Sequence, residues 1–300
     1  MLTAPTRCRL TAAMRLAFLL VLFAFNTVGP TARAANFDVL CVIDSRGSDV
    51  CAIQLSGPLE QGDALRLDTL VTKTAAATTR RFVRWLILDS PGGSVGEAKQ
   101  LADVVRNRIL WTSNLHILRD GYQSQVENES AGFECASSCV LVLLAGANRI
   151  LVSNPMANAR IGLHRPYLSR AAQEKLSPGE LAMAQQQAEE ELRHLLERER
   201  MPKDLLETMM SRASTQIYWV TRKDLLRLDG GYSSWFEELI TARCDWDKDF
   251  EAALLESASS APERERERLR ARVSQYLGQI QDCIEVETRR AQLARGRPAR

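Results

Sequence analysis

One stretch limits this chain more than any other. Phe82 to Asp89 is apolar enough to be a fully buried strand, and it runs into Ser90-Pro91-Gly92-Gly93. Directly after comes Val95 to Asn107, where Val95, Ala98, Leu101, Ala102 and Val105 recur at helical spacing. A buried strand turning on a diglycine into an amphipathic helix belongs to α/β architecture with parallel strands and crossover helices. Glycine at the turn permits backbone conformations that a side chain forbids, so amide N–H groups can face outward there. Such donors suit a developing oxyanion. An ordinary tight turn needs the same residues, so the diglycine alone selects no chemistry.

The same alternation continues on both sides. Phe37 to Ile43 and Val50 to Leu55 read as strands, and Gln61 to Val71 as a helix. Leu115 to Leu118 reads as a further strand, with a polar loop from Arg119 to Glu134. Val140 to Ala145 is apolar on every side and so reads as a buried helix. Arg149 to Val152 and Arg160 to Leu163 are short strands. Ser177-Pro178-Gly179-Glu180 starts a long polar helix reaching about Arg200, followed by a shorter one from Pro202. Ile217 to Val220 reads as a strand, and Thr221 begins a short helix. Beyond Cys244 the chain is mostly charged helix. There Leu269, Val273, Leu277, Ile280 and Ile284 share a face that is expected to pack on a helix from Asp249 to Glu256.

The first residues describe a leader. Arg7, Arg9 and Arg15 precede an apolar run from Leu16 to Phe25, and Ala32-Arg33-Ala34 is an A-x-A cleavage site. The run is short for a membrane span, which takes about 20 residues. The expectation is a cleaved signal peptide over 1–34, no stable membrane span afterwards, and a periplasmic or secreted protein. Residues 1–34 hold four arginines and no acid, so cleavage takes the net charge from +2 to about −2. Nucleic acid is then an unsuitable partner, because phosphate binding needs concentrated basic surface.

Seven cysteines become six once Cys8 is removed. An even number in an exported chain permits disulfides, and three local pairs are candidates: Cys41 with Cys51, Cys135 with Cys139, and Cys244 with Cys283. Four residues on a regular helix is awkward for the second pair, unless Cys135 lies in the loop before the helix. No CxxC or HxxxH spacing supports a metal, and no cofactor motif is present.

Two further residues carry candidate chemistry. Ser137 precedes the apolar helix, where serine most often serves as an N-cap. His164 ends an apolar strand, where histidine is most often structural. The mature chain has only His116, His164 and His194. His194 lies in a charged helix, and His116 has no acid or serine motif beside it. If a serine is activated here, His164 is the natural general base.

Taken together, Ser90-Pro91-Gly92-Gly93, Cys135-Ala136-Ser137-Ser138-Cys139 and Asn158-Ala159-Arg160-Ile161-Gly162-Leu163-His164-Arg165-Pro166 resemble the Clp protease proteolytic subunit. They are closer still to exported Clp-like proteins of the Clp/crotonase superfamily. Leu55-Ser56-Gly57-Pro58-Leu59 is similar to that family's opening strand and turn, and the resemblance covers roughly Val50 to Tyr232. It implies a spiral of ββα units with a mainly parallel sheet, over residues 35–240; the C-terminal helical hairpin extension expected over 241–300 lies outside the resemblance and departs from the family. It implies Ser137 as nucleophile, His164 as base, and the N–H groups of Gly93 and Ser138 as oxyanion hole. It also implies a peptide or protein substrate and homo-oligomerisation.

The family acid has no clear counterpart. Counting back from Ile217-Tyr218-Trp219 reaches Ser211, Arg212 and Ser214, and the nearest acids, Asp204 and Glu207, do not align. A catalytically inactive periplasmic scaffold or binding protein on the same fold is therefore the alternative expectation. Two enzymatic rivals share the superfamily. Crotonase-type thioester chemistry needs coenzyme A and leaves His164 unexplained. Serine–lysine peptidases need a lysine base, and Lys99, Lys175, Lys203 and Lys223 have no motif.

Overall fold

The computed structural model describes residues 35–44, 46–114, 133–151, 160–168, 173–213, 215–228 and 231–294. The leader expected over 1–34, the strand expected at Leu115 to Leu118 and nearly all of the polar loop after it lie outside these. So does Ser214.

The chain begins with a hairpin. β1 (Asn36–Ile43) pairs antiparallel with β2 (Asp49–Ser56). The Asp44 carboxylate accepts from the amides of Arg46 and Ser48 (3.0 and 2.8 Å), an Asx-type turn that Gly47 completes at φ 77°. Cys41 faces Cys51 in this register, at disulfide-bonding distance with Cα atoms 4.0 Å apart. β3 (Arg81–Asp89) lies parallel to β2, and β4 (Trp111–Ser113) parallel to β3.

Two helices cover one face of these strands, α1 (Asp63–Ala76) and α2 (Val95–Asn107). Leu67 and Val71 of α1 and Ala98, Leu101 and Val105 of α2 are fully buried against Ile53, Leu55, Leu86 and Leu88. α2 matches its sequence reading in both bounds, and α1 extends further than Val71. α1 has no side-chain cap of its own. Its N-terminal amide at Ala64 is taken instead by the buried Glu97 carboxylate of α2, at 2.7 Å. The two helix starts beside the diglycine turn are thereby tied to each other.

β5 (Glu134–Ala136) follows, where the sequence reads as the end of a loop. Then comes α3 (Cys139–Leu144), every residue of which is buried, and β6 (Asn148–Ile150), parallel to β4. β7 (Arg160–Leu163) lies parallel to β5. α4 (Pro178–Arg198) starts on a full capping box between Ser177 and Glu180 with proline in its first turn. Beyond it lie α5 (Lys203–Ser211), β8 (Tyr218–Trp219), α6 (Arg222–Leu228) and β9 (Gly231–Tyr232). The strands form a six-stranded sheet, β1-β2-β3-β4-β6-β9, parallel through its middle, and a three-stranded sheet, β5-β7-β8.

The C-terminal part is α7 (Ser234–Cys244), α8 (Lys248–Ser260) and α9 (Glu263–Leu293). α8 and α9 form a helical hairpin, but the buried end of the α9 face packs on α7 instead of on α8 as the sequence suggests. Ile280 and Ile284 are buried with Phe236, Ile240 and Trp246, whereas Leu277 is exposed. Cys244 and Cys283 join α7 to α9 at disulfide-bonding distance. The second half of α9 lies on the main sheet. Arg289 donates to the carbonyls of Ala75 and Arg81 (2.9 and 2.6 Å), and Glu285 pairs with Arg46 and Arg84.

Candidate active site

The two sheets meet where β3 ends. Ser90 bridges to Cys135, its amide donating to the Glu134 carbonyl (2.6 Å) and its carbonyl accepting from Ala136 (2.9 Å). The carboxyl ends of β3, β5 and β7 therefore converge, as ligand sites in α/β sheets generally require.

Ser137 occupies the turn between β5 and α3 with φ 57°. A non-glycine residue in the left-handed region costs roughly 1–2 kcal/mol, and such positions cluster at functional sites. Its amide donates to the Gly162 carbonyl at 2.9 Å, which pins the turn to β7. The side chain is half-buried, unlike the wholly buried helix that follows. Its hydroxyl makes no hydrogen bond to a described residue.

The diglycine is needed for close approach as well as conformation. Gly92 and Gly93 have φ 96° and 151°. A Cβ on Gly92 would lie 2.6 Å from the Ser137 Cβ, and one on Gly93 would overlap the backbone of Leu59. Leu59 binds both neighbours of Gly93, donating to the Gly92 carbonyl and accepting from the Ser94 amide. Gly92 N–H is occupied by the Ser90 hydroxyl (3.1 Å). Among the described residues, neither Gly93 N–H nor Ser138 N–H has an acceptor. The Ser138 hydroxyl donates to the Gly93 carbonyl at 3.1 Å, which holds these two turns together. Two unused donors thus flank the Ser137 turn.

Cys135 and Cys139 bracket it, at disulfide-bonding distance with Cα atoms 5.4 Å apart. Cys135 lies on β5 rather than in a loop, and Cys139 is the first residue of α3. The sharp reversal at Ser137, not a run of helix, brings the two sulfurs together.

His164 directly follows β7. Ala136 of β5 is in register with Gly162 of β7, so Ser137 and His164 leave adjacent parallel strands at the same end. Neighbouring strands lie about 4.8 Å apart. His164 is 6% exposed, its ring stacked on Tyr167 at 5.8 Å between centroids. Nδ1 lies 2.9 Å from the carbonyl oxygen of Arg165.

No carboxylate among the described residues hydrogen-bonds His164. Asp204 is held by both terminal nitrogens of Arg227 (2.5 and 2.7 Å), and Glu207 by Arg193 (2.5 Å). Asp224, near the β7–β8 pair, accepts from Thr221 (2.6 Å) and Tyr218 (3.2 Å). Ser211 donates to its own helix, and Arg212 lies over the Tyr218 ring. None of the four lysines makes a described contact to Ser137. Lys99 pairs with Glu191, and Lys175, Lys203 and Lys223 are exposed.

The sequence gives no hint of the contacts that α4 makes to the segment after His164. Arg165 Nε donates to Glu189 Oε1 (2.6 Å), and Gln185 Nε2 donates both to the Pro166 carbonyl (2.6 Å) and to Glu189 Oε1 (2.8 Å). Burial alone would raise the Glu189 carboxyl. The hydrogen bonds from Arg165 and Gln185, with the charges of Arg165 and Arg193, outweigh it and hold the group below the usual carboxylate range.

Fold and site together define a mixed α/β protein with a left-handed serine turn and a strand-end histidine at the carboxyl ends of parallel strands. Compared with known proteins, the chain matches no family model and no curated sequence. Among solved structures it is similar to ClpP1 from Listeria monocytogenes, at 14% identity over 59% of this chain and 86% of that one, with a TM-score of 0.39. A single-substitution mutant of the same Listeria protein matches at 12% identity, with the same coverage and TM-score. Similarity of this degree fixes neither family nor activity.

Proposed function

We propose that this chain is a serine peptidase-like hydrolase that acts on a peptide or protein in an oxidising, periplasmic or extracellular compartment. The Ser137 hydroxyl attacks the substrate carbonyl while His164 Nε2 takes its proton. The N–H groups of Gly93 and Ser138 hold the oxyanion. His164 then returns the proton to the leaving amine, and water releases the acyl group by the same steps in reverse. No metal or cofactor enters this scheme.

The observation that carries the reading is Ser137 itself. A half-buried serine is kept in a left-handed turn between strand and helix, beside two backbone donors that have no acceptor among the described residues. The strained strand-to-helix turn of α/β-hydrolases presents its nucleophile in a similar way. Three cysteine pairs at disulfide-bonding distance support the oxidising compartment. No helix of the described residues is long and apolar enough to cross a membrane. The spiral of ββα units, the cleaved leader over 1–34, the 35–240 and 241–300 division and a homo-oligomeric state belong to the same reading.

One observation favours the inactive scaffold instead, namely the lack of a described carboxylate on His164. Labelling with a fluorophosphonate probe separates the two. Oxidised wild-type protein is expected to label, and Ser137→Ala and His164→Ala are expected not to, each with the fold intact by circular dichroism. Folded wild-type protein that stays unlabelled would rule the hydrolase out in favour of the scaffold.

A further inference from the structure

A serine hydrolase needs its histidine in one tautomer, with the proton on the nitrogen that faces away from the serine. An acid normally fixes this. Here the group facing His164 Nδ1 is the main-chain carbonyl of Arg165, at 2.9 Å. A carbonyl only accepts, so this contact is a hydrogen bond when Nδ1 carries the proton, and Nε2 then has a free lone pair.

A carbonyl on the adjacent residue would orient a ring poorly if its peptide could rotate. Three features prevent that. Pro166 disfavours the helical region at Arg165. Gln185 donates to the buried Pro166 carbonyl, and Glu189 holds the Arg165 side chain while also accepting from Gln185. One surface of α4 thus grips both sides of the Arg165–Pro166 peptide.

We propose that the Arg165 carbonyl, clamped by Gln185 and Glu189, sets the tautomer of His164 in place of an acid. Arg165, Gln185 and Glu189 are positioning residues, since none meets the reacting atoms. The inference rests on the hydrolase reading for its purpose, but the tautomer can be observed without any activity. A neutral dipole stabilises an imidazolium less than a carboxylate does, so the site is built for slow turnover.

The test is 15N NMR on oxidised protein labelled at histidine, with His164→Ala to assign the signal, alongside the rate of fluorophosphonate labelling. Neutral His164 is expected as the Nδ1–H form in wild type. Gln185→Ala is expected to shift it towards a mixture and to slow labelling about tenfold, with little change in melting. Glu189→Ala should act likewise, and Glu189→Gln, which keeps an acceptor for Arg165, should recover most of the rate. The exposed Glu190→Ala is the control. An Nε2–H form in labelling-competent wild type would overturn the proposal and leave the hydrolase standing. So would an unchanged tautomer in Gln185→Ala. A clean Nδ1–H form that Gln185→Ala disturbs, in a wild type that never labels, supports the clamp and removes the hydrolase.

Discussion

The side chain of Gln292 pairs with the backbone of Val83 as a neighbouring strand would. Its Oε1 accepts from the Val83 amide at 2.9 Å, and its Nε2 donates to the Val83 carbonyl at 2.5 Å. Nε2 also reaches the Arg108 carbonyl at 3.2 Å. β4 begins its pairing with β3 only at Trp85, so Val83 has no strand on that side. A glutamine from the C-terminal helix fills the gap, fully buried.

Replacing Gln292 should therefore cost more than its position in a polar helix suggests. Gln292→Leu leaves the Val83 amide and carbonyl buried without partners, at about 1–3 kcal/mol for each such group. A loss of roughly 2–6 kcal/mol in urea unfolding of the oxidised protein is expected. A loss below about 0.5 kcal/mol would mean that water reaches these groups instead.

Ser137 should invert the usual ranking of alanine and glycine. With φ at 57°, any Cβ is strained there, and glycine is not. Ser137→Gly is expected to be more stable than Ser137→Ala by about 1 kcal/mol, read by denaturation of the two variants side by side. The order alanine above glycine would show that the turn has relaxed.

Asp204 ties α5 to α6 through Arg227. Its hydrogen bonds from Arg227 depress the carboxyl from 3.8 to about 2. The unfolded chain then binds the proton first, so this pair contributes stability fully above pH 3.8 and loses it as pH falls through about 2. The site is exposed and the contribution accordingly modest. Between those two pH values, Asp204→Asn should show a shallower decline in stability than wild type. Identical slopes in acid titrations of the two proteins would count against the pair.

Much of the main sheet and its helices is legible in the sequence because burial there writes a strong pattern. Val95 to Asn107 keeps one apolar face and shows both its ends, and Arg160 to Leu163 is bounded as read. α7 is not legible. Its apolar residues Trp235, Phe236, Leu239 and Ile240 share one broad face, but the helix is only 11 residues long, and the partners that bury this face, α9 above all, are distant in sequence. β5 is three residues long, and what makes it a strand is its pairing with β7 and Ser90, distant in sequence. At the site, the sequence offers the residue types of Ser137, His164 and the diglycine, and the left-handed turn is a property of the fold. Gln185 and Glu189 sit on a polar helix and differ in no visible way from the glutamines and glutamates around them. Only the arrival of Arg165 and Pro166 beside them gives them a part.

The pairing of Gln292 with Val83 spans 209 residues. A nascent chain that has emerged only through α7 already contains every strand, yet its third strand still lacks the amide that completes it. Until α9 is made, that notch exposes one backbone donor and one acceptor, open to the edge of any other unfinished chain. The third strand is therefore complete only in a full-length chain, and a route that delivers the whole polypeptide before folding begins would avoid the exposed interval.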